Sequence, residues 1–377
     1  MVKKILIVCI VLFFIPLFGL DIFAEESDMP DEYDDFLESL PSDILELLPE
    51  GLLSNDSETV TKAIQEMTSW DYILNIIFEI IGLNIQEIIK FLATLISVLA
   101  ISSLFNVMKK TLKNDSTANI LQLISSSVLI TVLIELSKSP LEKAMTLLNN
   151  IKISINTLSP LMCTMYAMGG NISSALVSNY GLIVFLTLFE NICIFALEMI
   201  LGICVSIALA SFFINDGNLF SLSAAIKKTF TFFVGLMMLV FTTVISTQTL
   251  LSSRADTLTS KTAKLFIGQI IPLVGSTIGE TLKTAGASIE YLRSSIGVFA
   301  IIILSIMILP TVISILLYRL VFIVSNAVAG VLDCRKEGGV FIELSSIYGY
   351  ALAVLSISAV ALLFLITIFA KITSPFS

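Results

Sequence analysis

Long uninterrupted runs of apolar residues constrain this chain more than any other feature. Each run has about the 20 residues that an α-helix needs to cross the hydrocarbon core of a bilayer, or more. A soluble domain is about one-quarter charged, whereas this chain is 56% hydrophobic and only 14% charged, with a mean hydropathy of +0.98. The sequence therefore predicts an all-α fold, a polytopic transmembrane helical protein. The runs cover residues 88–107, 119–136, 181–213, 229–247, 296–325 and 347–370.

The number of crossings predicted from these runs is about six to eight. Six is the base count. The run 181–213 is too long for one untilted helix and too short for a comfortable pair, and residues 153–168 form a weaker additional run. Seven or eight spans therefore remain compatible with the pattern.

The N-terminal region divides into two parts ahead of the membrane domain. Residues 1–24 have a short basic start, an apolar stretch and Ala24 directly before the acidic segment that begins at Glu25, which is the pattern of a signal peptide; an uncleaved anchor helix is the alternative. Residues 25–70 form an acidic segment that we expect to be extracytoplasmic, either loosely helical or a solvated linker. Residues 71–377 are the polytopic membrane domain, which begins with an interfacial helix leading into the first span.

The charge of the chain is unevenly distributed. Residues 25–58 contain thirteen of the 30 acidic residues and no Lys or Arg, which leaves 17 acidic against 21 basic residues elsewhere. The basic residues lie singly or in small groups beside apolar runs, so they indicate membrane topology rather than nucleic-acid binding. Under a six-span count three basic groups share one side, which the positive-inside rule makes cytoplasmic, with the mature N-terminus and the connections 135–180 and 248–295 outside. These groups are Lys109, Lys110 and Lys113; Lys227 and Lys228; and Arg335 and Lys336.

The sequence contains no histidine, so the commonest general base and the commonest metal ligand are both missing. Its five cysteines show no CxxC spacing, and neither a phosphate-binding loop nor a nucleophile elbow is present. We therefore expect a protein that is not an enzyme and that has no cofactor, no metal site and no partner nucleic acid.

Three charged residues lie inside apolar runs: Glu190, Glu198 and Arg319. An ionised group at the bilayer centre costs about 2.5–3.5 kcal/mol on insertion scales, so these side chains should face protein or water. One interpretation is a polar pathway or an intramembrane ion pair. The other is that Glu190 marks a hairpin tip and that Arg319 extends to an interface. The two glutamates are about 80° apart around an ideal helix, so one partner would touch only one of them.

The stretch 254–280 combines a polar start with an apolar part interrupted by Gly268, Pro272 and Gly275. A re-entrant or pore-lining segment fits this pattern, because irregular backbone at membrane depth is tolerated only against protein or water. An external amphipathic loop packed on the bundle fits it equally well.

Within this stretch, residues 255–264 (ADTLTSKTAK) and 271–275 (IPLVG) resemble the stage III sporulation protein AE family, and the order of segments resembles that family along nearly the whole chain. The resemblance implies a multi-pass subunit, in the mother-cell membrane facing the forespore, of a channel or secretion-like complex required for endospore development. Implied partners are other proteins of the stage III sporulation operon, including a cytoplasmic ATPase and ring-forming proteins, and a forespore-side protein of the same complex. A self-sufficient transporter or permease is the alternative. The motif positions that carry over are Asp256, Lys261, Thr262, Lys264, Pro272 and Gly275.

Overall fold

The structure is a computed structural model that describes residues 70–111, 115–168, 180–213, 219–243 and 275–371. Apart from the short turns at 211–213 and 332–334, all of these residues are helical, which confirms the predicted all-α fold. The six helices are each long and apolar enough to cross a membrane. They are α1 (Trp70–Thr111), α2 (Asp115–Met168), α3 (Tyr180–Ala210), α4 (Leu219–Thr243), α5 (Gly275–Val331) and α6 (Arg335–Lys371).

Helices α5 and α6 form a central hairpin, the most extensively packed helix pair among the described elements. The turn between them contains Asp333 with φ 55°, a left-handed conformation that Asp tolerates better than most residues. The Cys334 amide donates to the Ala329 carbonyl over 2.9 Å, which satisfies one of the carbonyls left free at the end of α5. The hairpin is thus a rigid frame for the other helices.

The remaining helices pack around this hairpin and leave large apolar side chains facing outward. The Phe91 ring of α1 makes an edge contact with Tyr318 of α5 at a centroid distance of 4.9 Å. On the outer surfaces, Phe78, Phe195 and Leu239 are more than half exposed. Such surfaces are stable where lipid is the solvent, so the packing agrees with the apolar composition.

Three helices differ from the sequence-based expectations. We expected long connections at 135–180 and 248–295, but α2 is helical as far as Met168, past Pro140 and Pro160, and α5 already begins at Gly275. The alternative in which Glu190 marks a hairpin tip is wrong, because Tyr180–Ala210 is one continuous helix. Helices of this length are stabilised by packing along the bundle and need not end at the bilayer surface.

Candidate functional site

Polar side chains are buried at several levels of this apolar bundle. The most complete group joins α4 to α6: the Lys227 ammonium lies 2.6 Å from the Glu343 carboxylate, and both side chains are only about 10% exposed, at 11% and 9%. Lys227 also donates to the Ser346 hydroxyl over 2.8 Å, and the Ser223 hydroxyl donates to the same carboxylate oxygen of Glu343. The charge pair is therefore compensated by two hydroxyl groups, as a buried ion pair requires.

A second buried group joins α3 to α6. Glu190 is completely buried, and the Ser358 hydroxyl lies 2.7 Å and 2.6 Å from its two carboxyl oxygens. Among the residues with a described position, no cation is paired with Glu190. This carboxyl is held by a hydroxyl alone, in contrast to the Lys227–Glu343 pair.

A third group lies at the turn between α5 and α6. Ser102 of α1 donates to Glu337 over 2.5 Å and accepts from Ser125 of α2 over 3.3 Å. The nearby Cys334 is fully buried, and its pKa is raised by burial and by the adjacent Glu337 carboxylate. These contacts tie one end of α1 and of α2 to the hairpin turn.

None of these groups forms a metal site or an evident catalytic centre. Within the described ranges, no three His, Cys, Asp or Glu side chains come close enough together to hold a metal ion. The four cysteines of these ranges are not joined by disulfides. The geometry is that of polar contacts between membrane helices, which position helices and line polar regions.

Comparison with known protein families assigns the chain to one of them. The family model for stage III sporulation protein AE matches residues 55–373, which include all six candidate spans and the 255–275 motif. The chain belongs to the stage III sporulation protein AE family. The match confirms the resemblance seen in the sequence. No curated protein and no solved structure matches the chain.

This stage III sporulation protein AE family member is thus a multi-pass membrane protein involved in sporulation. Of the residues predicted from the sequence, Glu190 is buried, whereas Glu198 lies exposed on the same helix. Arg319 lies on α5 against Gly349 of α6, and its buried Nε has no hydrogen-bond partner among the described residues. No ion pair joins Arg319 to either glutamate in that part of the chain.

The motif residues of the family lie mostly outside the described structure. Gly275 is the first residue of α5. The predicted re-entrant segment therefore stays a prediction. The motif residues outside the described ranges are Asp256, Lys261, Thr262, Lys264 and Pro272.

The buried ion pair was missed by sequence reasoning. Lys227 was interpreted only as a topology signal, and Glu343 stands close to the basic pair at the start of α6. The sequence nevertheless contained an indication of this polar cluster. Glu343 lies three residues before Ser346, and Lys227 lies four residues after Ser223. Such spacings place the two members of each pair on the same face of a helix. Ser358 carried no signal, because Ser is common in apolar helices.

Proposed function

We propose that this chain is the membrane subunit, in the mother-cell membrane, of a channel or secretion-like complex that connects mother cell and forespore during endospore development. The observation that carries the proposal is the family match along the six candidate spans. Buried polar contacts at three levels of the bundle support a scaffold that holds helices in fixed positions. Such a scaffold suits a subunit of a larger assembly.

The proposed orientation has the hairpin turn in the cytoplasm and residues 25–70 outside the cell membrane. It is supported by the placement of the basic groups: Arg335 begins α6 at the turn, and the exposed Lys228 follows Lys227, which contacts Glu343 about two turns into α6. Positive residues collected at one end of a bundle favour a cytoplasmic location of that end. A cysteine introduced at Ser260, in the 248–295 connection, should react with a membrane-impermeant thiol reagent in intact protoplasts; reaction only after lysis would contradict this orientation.

The proposed partners are other products of the stage III sporulation operon, including a cytoplasmic ATPase and ring-forming proteins, together with a forespore-side protein. The test is capture of an affinity-tagged chain from detergent-solubilised membranes of sporulating cells, followed by mass spectrometry. We expect these partners to be recovered, and an equally expressed chain in vegetative cells should not recover them. Recovery of the chain alone from sporulating cells would argue against a complex.

A self-sufficient transporter is the second candidate, favoured by the complete burial of Glu190 against Ser358 inside the spans. Buried ionisable groups at membrane depth mark ion or substrate pathways in many transporters. This alternative predicts solute movement by the purified chain alone in lipid vesicles. The complex proposal predicts none above the level of empty vesicles.

A further inference from the structure

The contacts made by α6 allow the depth of the other helices to be compared. The α6 span Arg335–Thr367 has 33 residues, about 50 Å at 1.5 Å per residue, whereas the hydrocarbon core is about 30 Å thick, or 20 residues. Every placement of 20 residues inside these 33 includes Tyr348. Tyr348 therefore lies within the hydrocarbon wherever the bilayer is positioned along this span. We call its position along the axis of the bundle the Tyr348 level.

The C-terminal, more polar half of helix α2 begins at the Tyr348 level. The Tyr348 hydroxyl donates to the Ser137 carbonyl over 3.3 Å, so Ser137 lies at the Tyr348 level. Farther along, Lys152 donates to Asn191 of α3 over 2.8 Å, and Asn191 follows Glu190, the partner of Ser358. Residues 137–152 of α2 thus lie beside the central and far part of the α6 span.

The outward face of α2 changes character at this point. Between residues 120 and 134 the described exposed residues are uncharged, and most of them are apolar: Ile120, Leu123, Ile124, Val128 and Ile134. From Glu135 on, one helix face presents polar residues three or four positions apart, all of them exposed. These are Glu135, Lys138, Glu142, Thr146 and Asn149, which we call the polar stripe.

An ion pair beside the polar stripe is also exposed at this depth. The Lys143 ammonium lies 3.2 Å from the Glu87 carboxylate of α1, and the two side chains are 40% and 47% exposed. Glu87 also accepts a hydrogen bond from Tyr318, whose ring lies 6.5 Å from that of Tyr348 between centroids. The pair is therefore at the Tyr348 level, inside the hydrocarbon layer.

Lipid cannot be the neighbour of this surface at a reasonable energetic cost. Each charged side chain at the bilayer centre costs about 2.5–3.5 kcal/mol on insertion scales. On α4, by contrast, the exposed Leu239 lies at a similar level, between Lys227, which contacts Glu343, and Phe241, whose ring stacks on that of Phe189. The exposed residues within 232–239 are all apolar, so the bundle is apolar on its α4 side and polar on its α1–α2 side at one depth.

We infer that the polar stripe, together with the Glu87–Lys143 pair, forms one wall of a water-filled path through the membrane. Water rather than a protein partner is favoured because the stripe carries charges of both signs, with Lys138 paired to Glu142 on its own helix, whereas the buried centres of protein interfaces are depleted of charged residues. The inference rests on the proposed channel function and adds the residues that line the path and the class of passenger.

The passenger is a hydrophilic solute that the path does not select by the sign of its charge. Three carboxylates and three ammonium groups lie on or beside this face, if the exposed Lys90, one turn from Glu87 on α1, is included, so their formal charges cancel. A wall without net charge does not concentrate either cations or anions. These groups are Glu87, Glu135, Glu142, Lys90, Lys138 and Lys143.

The test is cysteine accessibility in membranes isolated from sporulating cells that carry functional single variants of the full chain. Thr146→Cys and Asn149→Cys probe the polar stripe, and Leu239→Cys is the matched lipid-facing control. Charged methanethiosulfonate reagents should modify the stripe cysteines roughly a hundredfold faster than the control, the factor that corresponds to about 2.5–3.5 kcal/mol at 1.4 kcal/mol per tenfold. Cationic and anionic reagents should differ by no more than about tenfold.

The other outcomes would overturn the inference in distinct ways. Rapid modification of the Leu239→Cys variant as well would place this level outside the hydrocarbon. Stripe cysteines that react only after denaturation in SDS would show that another protein covers the stripe. Neither result depends on recovery of the operon partners, so failure of the water-filled path is distinguishable from failure of the proposed complex.

Discussion

Removal of one member of the Lys227–Glu343 pair should destabilise the folded protein strongly. The two side chains are 11% and 9% exposed and lie 2.6 Å apart, so either partner alone would be a buried charge with only hydroxyl groups as neighbours. Breaking such a pair costs about 3–5 kcal/mol. That loss corresponds to roughly a hundredfold to a few thousandfold in the ratio of folded to unfolded protein.

The expected pattern is non-additive. Lys227→Met and Glu343→Leu should each lose about 3–5 kcal/mol, whereas the double variant, which leaves no buried charge, should be within about 1–2 kcal/mol of wild type or more stable. Lys228→Met is the matched control, because Lys228 is the exposed neighbour on the same helix and should change stability by less than about 0.5 kcal/mol.

The assay is unfolding of the purified protein in detergent micelles with increasing SDS, followed by far-ultraviolet circular dichroism. Two results would refute the reasoning. If each single variant had a free energy of unfolding within about 1 kcal/mol of wild type, the pair would contribute no more to stability than an exposed ion pair does. A double variant that loses the sum of the single losses would show that the two groups act independently.

The remaining predictions concern three other buried contacts. Gly349→Ala should cost no more than about 1 kcal/mol in the same unfolding assay, because its Cβ would lie 2.9 Å from the Arg319 guanidinium carbon, the movable end of a flexible side chain, whereas Gly330→Ala, with open space around it, should be neutral or stabilising. Ser358→Ala should lose about 1–3 kcal/mol by leaving the Glu190 carboxyl without its hydroxyl partner; an unchanged unfolding curve would refute this. Cys334 should resist maleimide at pH 7–8 until SDS is added, because burial raises its thiol pKa; modification in the folded protein would contradict the buried position.

The helical architecture could be predicted because the information is local. Each span is an apolar run whose length and composition meet the requirement of the bilayer, and six such helices are present in the described ranges. The question raised by 181–213 was resolved by the structure, which has a single helix from Tyr180 to Ala210. Residues 153–168 extend α2 and start no separate helix.

Burial of individual charged residues could be predicted only in part. The 80° separation of Glu190 and Glu198 predicted that one partner touches only one of them, and the structure buries Glu190 and exposes Glu198. The identity of the partner, Ser358, depends on how α3 packs on α6, and no local pattern reports that. The same holds for Lys227 and Glu343, which are 116 residues apart in the chain.

The polar half of α2 shows why depth was harder to predict than helicity. Its charged residues made the stretch from Glu135 onward resemble an external connection. The sequence shows that the stretch is polar, but it does not show its depth in the bilayer. The Tyr348–Ser137 contact places this stretch beside the middle of α6. Only packing between distant segments could supply that information.

The central claim is that this membrane protein acts in a complex between mother cell and forespore, and an in-frame deletion tests it most directly. Cells of the source organism would be followed by timed fluorescence microscopy under spore-forming conditions, with forespore integrity and late forespore gene expression scored. Normal vegetative growth with arrest or forespore collapse after engulfment is the predicted result. Normal spores, or a growth defect before sporulation begins, would contradict the claim.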